Sequence, residues 1–146
     1  MTDTILAHLL VPVANEDDAK ATCRELDSYI DDETETIIVT HVIEKAEGYM
    51  DKAPLEARER QAETVFSIVE DYFDDGPRIR RELRYGTDVV DEIVAAAEEF
   101  DVSAIGFTPR PGGRIREFLT GDPAYRLLTE SHHPVVAFST DEEGDR

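Results

Sequence analysis

The sequence predicts an α/β fold: a doubly wound, five-stranded parallel sheet in the order 3-2-1-4-5 with helices on both faces. Three observations carry that prediction. Apolar, β-branched runs alternate with segments of helical spacing from Ile5 to Phe138, giving the order βαβαβαβαβ. The first run, residues 5–13 (I-L-A-H-L-L-V-P-V), is almost continuously apolar, as a central strand buried on both faces requires. The fourth run, Val102 to Ile105, feeds a loop rich in glycine and proline that closes at Gly121-Asp122-Pro123, a helix start. A strand, a glycine-rich loop and a helix N-terminus in that order form the device with which α/β proteins hold an anion.

Each element has its own local reason. Pro12 near the end of the first strand is tolerated where its missing N–H is not needed by the ladder. His8 inside this run reads as a neutral core histidine. Asn15 caps the first helix, and Glu16, Asp17 and Asp18 place negative charge on its positive end. Ala19, Cys23, Leu26 and Ile30 then give one apolar face, with the lone Cys23 as a core thiol. Thr36 to Ile43 is the second strand, and His41 near its carboxyl end is a candidate pocket residue. Pro54 opens a long helix to about Phe73, buried along Ala62, Val65, Phe66 and Val69. Arg78 to Tyr85 reads as an edge strand whose four arginines deter unwanted pairing, with a basic binding face as the alternative. After Gly86, Thr87-Asp88 start a helix with Val89, Ile93, Ala96 and Phe100 on its inner side. The helix from Pro123 carries Ala124, Leu127 and Leu128 inward, and Pro134 to Phe138 is the last strand. Residues 1–140 are therefore expected to form one domain, and residues 141–146 an acidic, flexible tail.

Composition excludes several function classes. The net charge of −19, from 34 acidic and 15 basic residues, repels nucleic-acid phosphates and anionic membrane surfaces. A halophile-like acidic surface poor in lysine suits a salt-rich cytoplasm. One cysteine allows no internal disulfide, no run approaches the roughly 20 apolar residues of a membrane span, and the start M-T-D-T lacks a basic signal region. The expectation is a cytoplasmic protein.

The chemistry-bearing motifs are few. Arg110, Arg114 and Arg116 stand against Glu117 in the long loop, a basic island able to hold an anion or to neutralise neighbouring carboxylates. Neither G-x-x-x-x-G-K-[ST] nor G-x-G-x-x-G occurs, nor G-x-S-x-G, nor H-E-x-x-H. His132-His133 are adjacent at a helix end and point about 100° apart, a poor metal pair. No nucleophile with a base is evident, which leaves a hydrolase or transferase remote.

The run I-G-F-T-P-R-P-G-G-R-I-R-E-F-L-T-G-D-P-A-Y-R-L-L, with L-L-V-P-V-A-N before it and H-P-V-V-A-F after it, resembles the universal stress protein family over the whole chain. The resemblance implies an adenine nucleotide alpha hydrolase-like fold. In nucleotide-binding members the loop reads glycine, two residues, glycine, nine residues, glycine, then serine or threonine, and an aspartate after the first strand holds the nucleoside. Here Gly106 and Gly121 match the outer glycines, Pro109 replaces the middle one, and eleven residues separate it from Gly121. Counting from Gly112 leaves eight residues before Gly121. Asp122 stands at the hydroxyl position and Ala14 at the aspartate position, with Asn15 and Asp17 nearby. Pro109 removes an amide donor, and Asp122 places an acceptor-only carboxylate facing phosphate.

The resemblance thus implies a non-enzymatic stress-response or ligand-sensing protein with weak or no ATP binding, no cofactor being expected; the alternative is an ATP-binding member with slow or no hydrolysis. Candidate nucleotide-binding residues are Pro12, Val13, Ala14, Asn15, His41, Val42, Gly106, Arg110, Gly112, Gly113, Arg114, Gly121 and Asp122. A homodimer is expected through the last strand at Val135, Val136, Ala137 and Phe138, together with an unidentified protein partner.

Overall fold

In the computed structural model, which describes residues 4–45, 52–108 and 122–138, the five strands form one parallel sheet in the order β3-β2-β1-β4-β5. The strands are β1 His8–Pro12, β2 Thr36–Glu44, β3 Arg78–Gly86, β4 Ala104–Phe107 and β5 Val135–Ala137. The helices between them are α1 Glu16–Asp27, α2 Lys52–Tyr72, α3 Val89–Phe100 and α4 Asp122–Glu130. This is the sheet order that the sequence predicts.

Alternation along β1 and β2 divides the core in two. Leu9, Val11, Val13, Ile37 and Val39 pack against α1 and α2 through Ala19, Cys23, Leu26, Val65 and Phe66. Leu10 and Ile38 face the other way, onto Val90, Ile93 and Ala97 of α3 and Leu127 of α4. Burying one such aliphatic side chain is worth about 1.5–3 kcal/mol. Cys23 is wholly buried, and burial pushes its thiol up to about 12, so it is inert.

Local differences from the sequence reading have physical causes. β1 begins at His8, and Ile5 lies outside it, 46% exposed. His8 is only partly buried: its N–H donates to Ser103 Oγ at 2.7 Å and its Nε2 lies 3.8 Å from Glu35. β4 runs two residues later than expected and passes straight through Gly106. α2 begins at Lys52 and α4 at Asp122.

β3 is an edge strand, paired along its whole length with β2. Two of its arginines are occupied internally. Arg81 bonds Glu63 and Glu70 of α2, both at 2.8 Å. Arg84, with its side chain 16% exposed, bonds Glu82 at 2.7 Å, Glu92 at 3.0 Å and Glu99 at 3.2 Å. Arg80 lies over the Phe100 ring. These contacts fasten α2 and α3 to the edge, so the strand is not a row of cations awaiting an anion. His132 and His133 likewise turn to Glu98 and Asp101 of the α3 end, at 3.0 and 3.6 Å. Among the described residues no cluster suits a metal ion.

Candidate functional site

The crevice predicted at the topological switch lies where β1 and β4 are neighbours. Their pairing stops at Leu10↔Ile105. Pro12 explains why. The Val13 N–H donates to the Thr40 carbonyl of β2 at 3.0 Å, so Val13 turns its polar groups toward β2 and Pro12 turns its own toward β4. On that side proline has no N–H to give, and the ladder to β4 ends early.

A second consequence appears on β2. The Thr40 carbonyl faces β1, and by the same alternation so do the N–H and C=O of Val42. β1 has ended by then, whereas β2 runs on to Glu44. Beside this exposed backbone edge is a cavity of about 140 Å³. Pro12, Val13 and Ala14 form one wall, Thr40, His41 and Val42 another, and Val89 and Ile93 of α3 the third. A mainly hydrocarbon cavity of roughly 150 Å³ is large enough for one small aromatic ring.

The wall at Ala14 leads directly into the start of α1. Asn15 has the extended backbone of an N-cap and its Oδ1 accepts from the Asp18 N–H at 2.8 Å. Asp18 returns the favour one residue further out, its Oδ2 accepting from the Ala14 N–H at 2.8 Å. The carboxylate is 4% exposed, and its Oδ1 is 3.5 Å from Thr22 Oγ1. Thr22 shares a 2.8 Å hydrogen bond with Thr108, the residue after β4. Asn15 and Asp18 therefore serve the backbone and the neighbouring hydroxyls.

His41 is 7% exposed, and its Nδ1 lies 2.9 Å from the Val13 carbonyl oxygen. A carbonyl only accepts, so Nδ1 carries the proton. Burial lowers its pKa below 6.5, opposed by the Val13 bond; Arg58 lowers it further and Asp18 raises it. Its position two residues after Val39 puts the ring on the α1–α2 face, opposite Val42. The ring closes the end of β1 while its backbone borders the cavity.

Gly106 sits buried in β4, and a Cβ there would stand 2.6 Å from Phe138 Cε2. The structure thus gives this glycine a packing role. Phe138 is 2% exposed and lies against Tyr29 with ring centroids 4.9 Å apart, so its side chain belongs to the core and not to the free edge at β5. Pro12, Val13, Ala14, His41 and Val42 are brought together as the sequence suggests. Arg110, Gly112, Gly113, Arg114 and Gly121 lie outside the described residues, as does the acidic tail; Asp122 is the first residue of α4. Sequence reasoning missed the cavity-lining Thr40, Val89 and Ile93 and the buried trio Asp18, Thr22 and Thr108. Only an acid at the third position of a capped helix hinted at Asp18.

No curated protein sequence matches the chain. Solved structures do. A hypothetical protein, PH0823, shares 23% identity over 92% of this chain and 95% of its own, with a TM-score of 0.71. A universal stress protein from Archaeoglobus fulgidus, solved in complex with dAMP, shares 22% over 92% and 99%, with a TM-score of 0.61. A universal stress protein in complex with cAMP shares 16% over 90% and 97%, with a TM-score of 0.59. At these identities the likeness establishes the fold. The family follows from a separate match of residues 6–139 to the model of the universal stress protein family, to which this chain belongs.

Proposed function

We propose that the chain is a non-enzymatic, cytoplasmic stress-response regulator that works as a homodimer and binds ATP weakly or not at all. The observation that carries this reading is the cavity wall at Ala14. A methyl group stands there, its amide is tied to Asp18 at 2.8 Å, and the Asp18 carboxylate is buried. Among the described residues, Ala14 offers no polar side-chain group to a sugar or a phosphate there. Glu16 and Asp17 stand exposed beside it, in a chain of net charge −19, and both repel a polyanion. Titration with magnesium and ATP by calorimetry is expected to show no saturation in the micromolar range. Micromolar binding would overturn the reading, and turnover in a steady-state hydrolysis assay would overturn its non-enzymatic part.

The open backbone edge of Val42 favours a second reading, an ATP-binding protein with slow or no hydrolysis. An N–H and a C=O beside a ring-sized cavity suit the donor–acceptor edge of a base, and relatives have been solved with dAMP and cAMP. In that case Arg110, Gly112, Gly113, Arg114 and Gly121 would hold the phosphates. The dimer is supported by β5, an edge strand with Val135 and Val136 half-buried and Ala137 exposed. Light scattering that gives a monomer mass at micromolar concentration would refute it.

A further inference from the structure

We propose that the outer edge of β3 is a docking site for a basic, extended segment of another protein, which joins the sheet as a further strand. The backbone sets the geometry. The Arg78 N–H donates to the Glu35 carbonyl at 2.9 Å, and the Gly86 carbonyl accepts from the Lys45 N–H at 2.8 Å. The even-numbered residues of β3 therefore turn their polar groups toward β2. By alternation the N–H and C=O of Ile79, Arg81, Leu83 and Tyr85 point away from the sheet. β3 ends the sheet order, so no strand among the described residues pairs with them. Edge strands are commonly closed to partners by shortness, by proline or by a bulge. β3 is nine residues long, has no proline and keeps an unbroken register with β2. Its long side chains are drawn back over the helices, Arg81 onto α2, Arg84 onto α3 and Arg80 onto the Phe100 ring.

Charge decides the occupant. On the α2 side Arg81 is shared by Glu63 and Glu70, while Tyr85 donates to Glu59. On the α3 side Arg84 is shared by Glu82, Glu92 and Glu99. Each of these clusters holds more carboxylates than arginines, and Glu63 and Glu99 remain more than half exposed. Arg78, Arg80 and Lys45 offset part of the excess; Asp74 and Asp75 lead into the strand and add to it. A second copy would bring the same acids and another net charge of −19 to the edge, which opposes self-pairing. A strand with lysine or arginine at alternate positions gains main-chain bonds from the outward groups and sets its cations beside these carboxylates.

Amide hydrogen exchange on the full chain, read by NMR, tests this with a capped peptide of alternating threonine and lysine. In the free chain the Arg81, Leu83 and Tyr85 amides should exchange much faster than those of Arg80, Glu82 and Arg84, which bond β2. Peptide at about ten times its dissociation constant should slow the first set about tenfold and leave the second set unchanged. The same peptide with glutamate for lysine should bind at least about tenfold more weakly at low salt. N-methylation of alternate peptide amides, which leaves the protein untouched, should abolish binding. Equal binding by the two peptides, or binding that survives N-methylation on either set of alternate amides, would overturn the proposal. No response to the lysine peptide at millimolar concentration would overturn it as well. Protection of Leu83 that rises with protein concentration alone would assign the edge to a second copy and likewise overturn it.

Discussion

Gly106→Ala is expected to destabilise the ligand-free protein by about 1–2 kcal/mol, which would make packing a sufficient reason for this glycine. The added Cβ would stand 2.6 Å from Phe138 Cε2 and 3.4 and 3.5 Å from Cζ and Cδ2. Carbon atoms pack at about 3.5–4.0 Å, so the ring must retreat by about 1 Å. It has little room: Phe138 is 2% exposed and lies against Tyr29. β4 cannot yield instead, because β1 and β5 hold it on both sides. Overpacking of this kind costs about 1–3 kcal/mol, and the stiffer unfolded chain returns about 0.4–1 kcal/mol. At this chain length the net loss corresponds to a fall in Tm of about 3–6 °C. Urea unfolding followed by circular dichroism reads it as a lower midpoint at constant slope. In a Phe138→Leu background the same change should cost less than half as much. A loss below about 0.5 kcal/mol, or an equal loss in both backgrounds, would refute the reasoning.

Three further outcomes are expected. The lowered pKa of buried His41 means that the unfolded chain takes up a proton near pH 6.5 while the folded chain resists it. Its contribution to stability is therefore intact above about pH 6.5 and is lost as the pH falls below that toward the folded value. His41→Gln should flatten the stability curve between about pH 7 and 5, and an unchanged slope would refute the assignment. Arg84→Ala leaves Glu82, Glu92 and Glu99 without their shared cation and should cost about 1–3 kcal/mol in urea unfolding, with Arg84→Lys recovering part; a loss under about 0.5 kcal/mol would mean that the cluster is incidental. Raising sodium chloride from about 0.1 to 2 M should raise Tm, because it screens the repulsion of a −19 chain, and greatest stability at low salt would refute the halophile-like reading.

The parts of the fold that were legible in the sequence are those where burial repeats with a local period. α1 and α3 show their inner faces at spacings of three and four, and β1 and β2 are apolar on both sides because both faces are covered. Ends were less legible. Ile5 continues an apolar run, but nothing local distinguishes an exposed isoleucine before a strand from a buried one within it. Gly106 reads locally as a strand terminator and is in fact the neighbour of Phe138, 32 positions later in the numbering. Asp18 reads as a charge complementing a helix end. It is buried beside Thr22, whose hydroxyl bonds Thr108, 86 positions away. Long-range partners of this kind leave no local trace.

Pro12 joins the legible and the hidden parts of the site. Its presence near the end of an apolar strand poses a local question, namely which backbone bond goes unmade. The answer depends on which neighbour each residue faces. Val13 faces β2 and bonds Thr40, so the missing donor at Pro12 falls on the β4 side, where the ladder has already stopped at Leu10↔Ile105. The crevice at the switch point thus opens beside a residue that has no N–H to donate across it. On the β2 side Val42 is left facing the space beyond the end of β1. One proline therefore sets where the β1–β4 ladder ends, whereas on the β2 side the pairing continues past it to Val13. A small apolar side chain at position 14, with its amide held by Asp18, adds to a space walled mainly by hydrocarbon among the described residues.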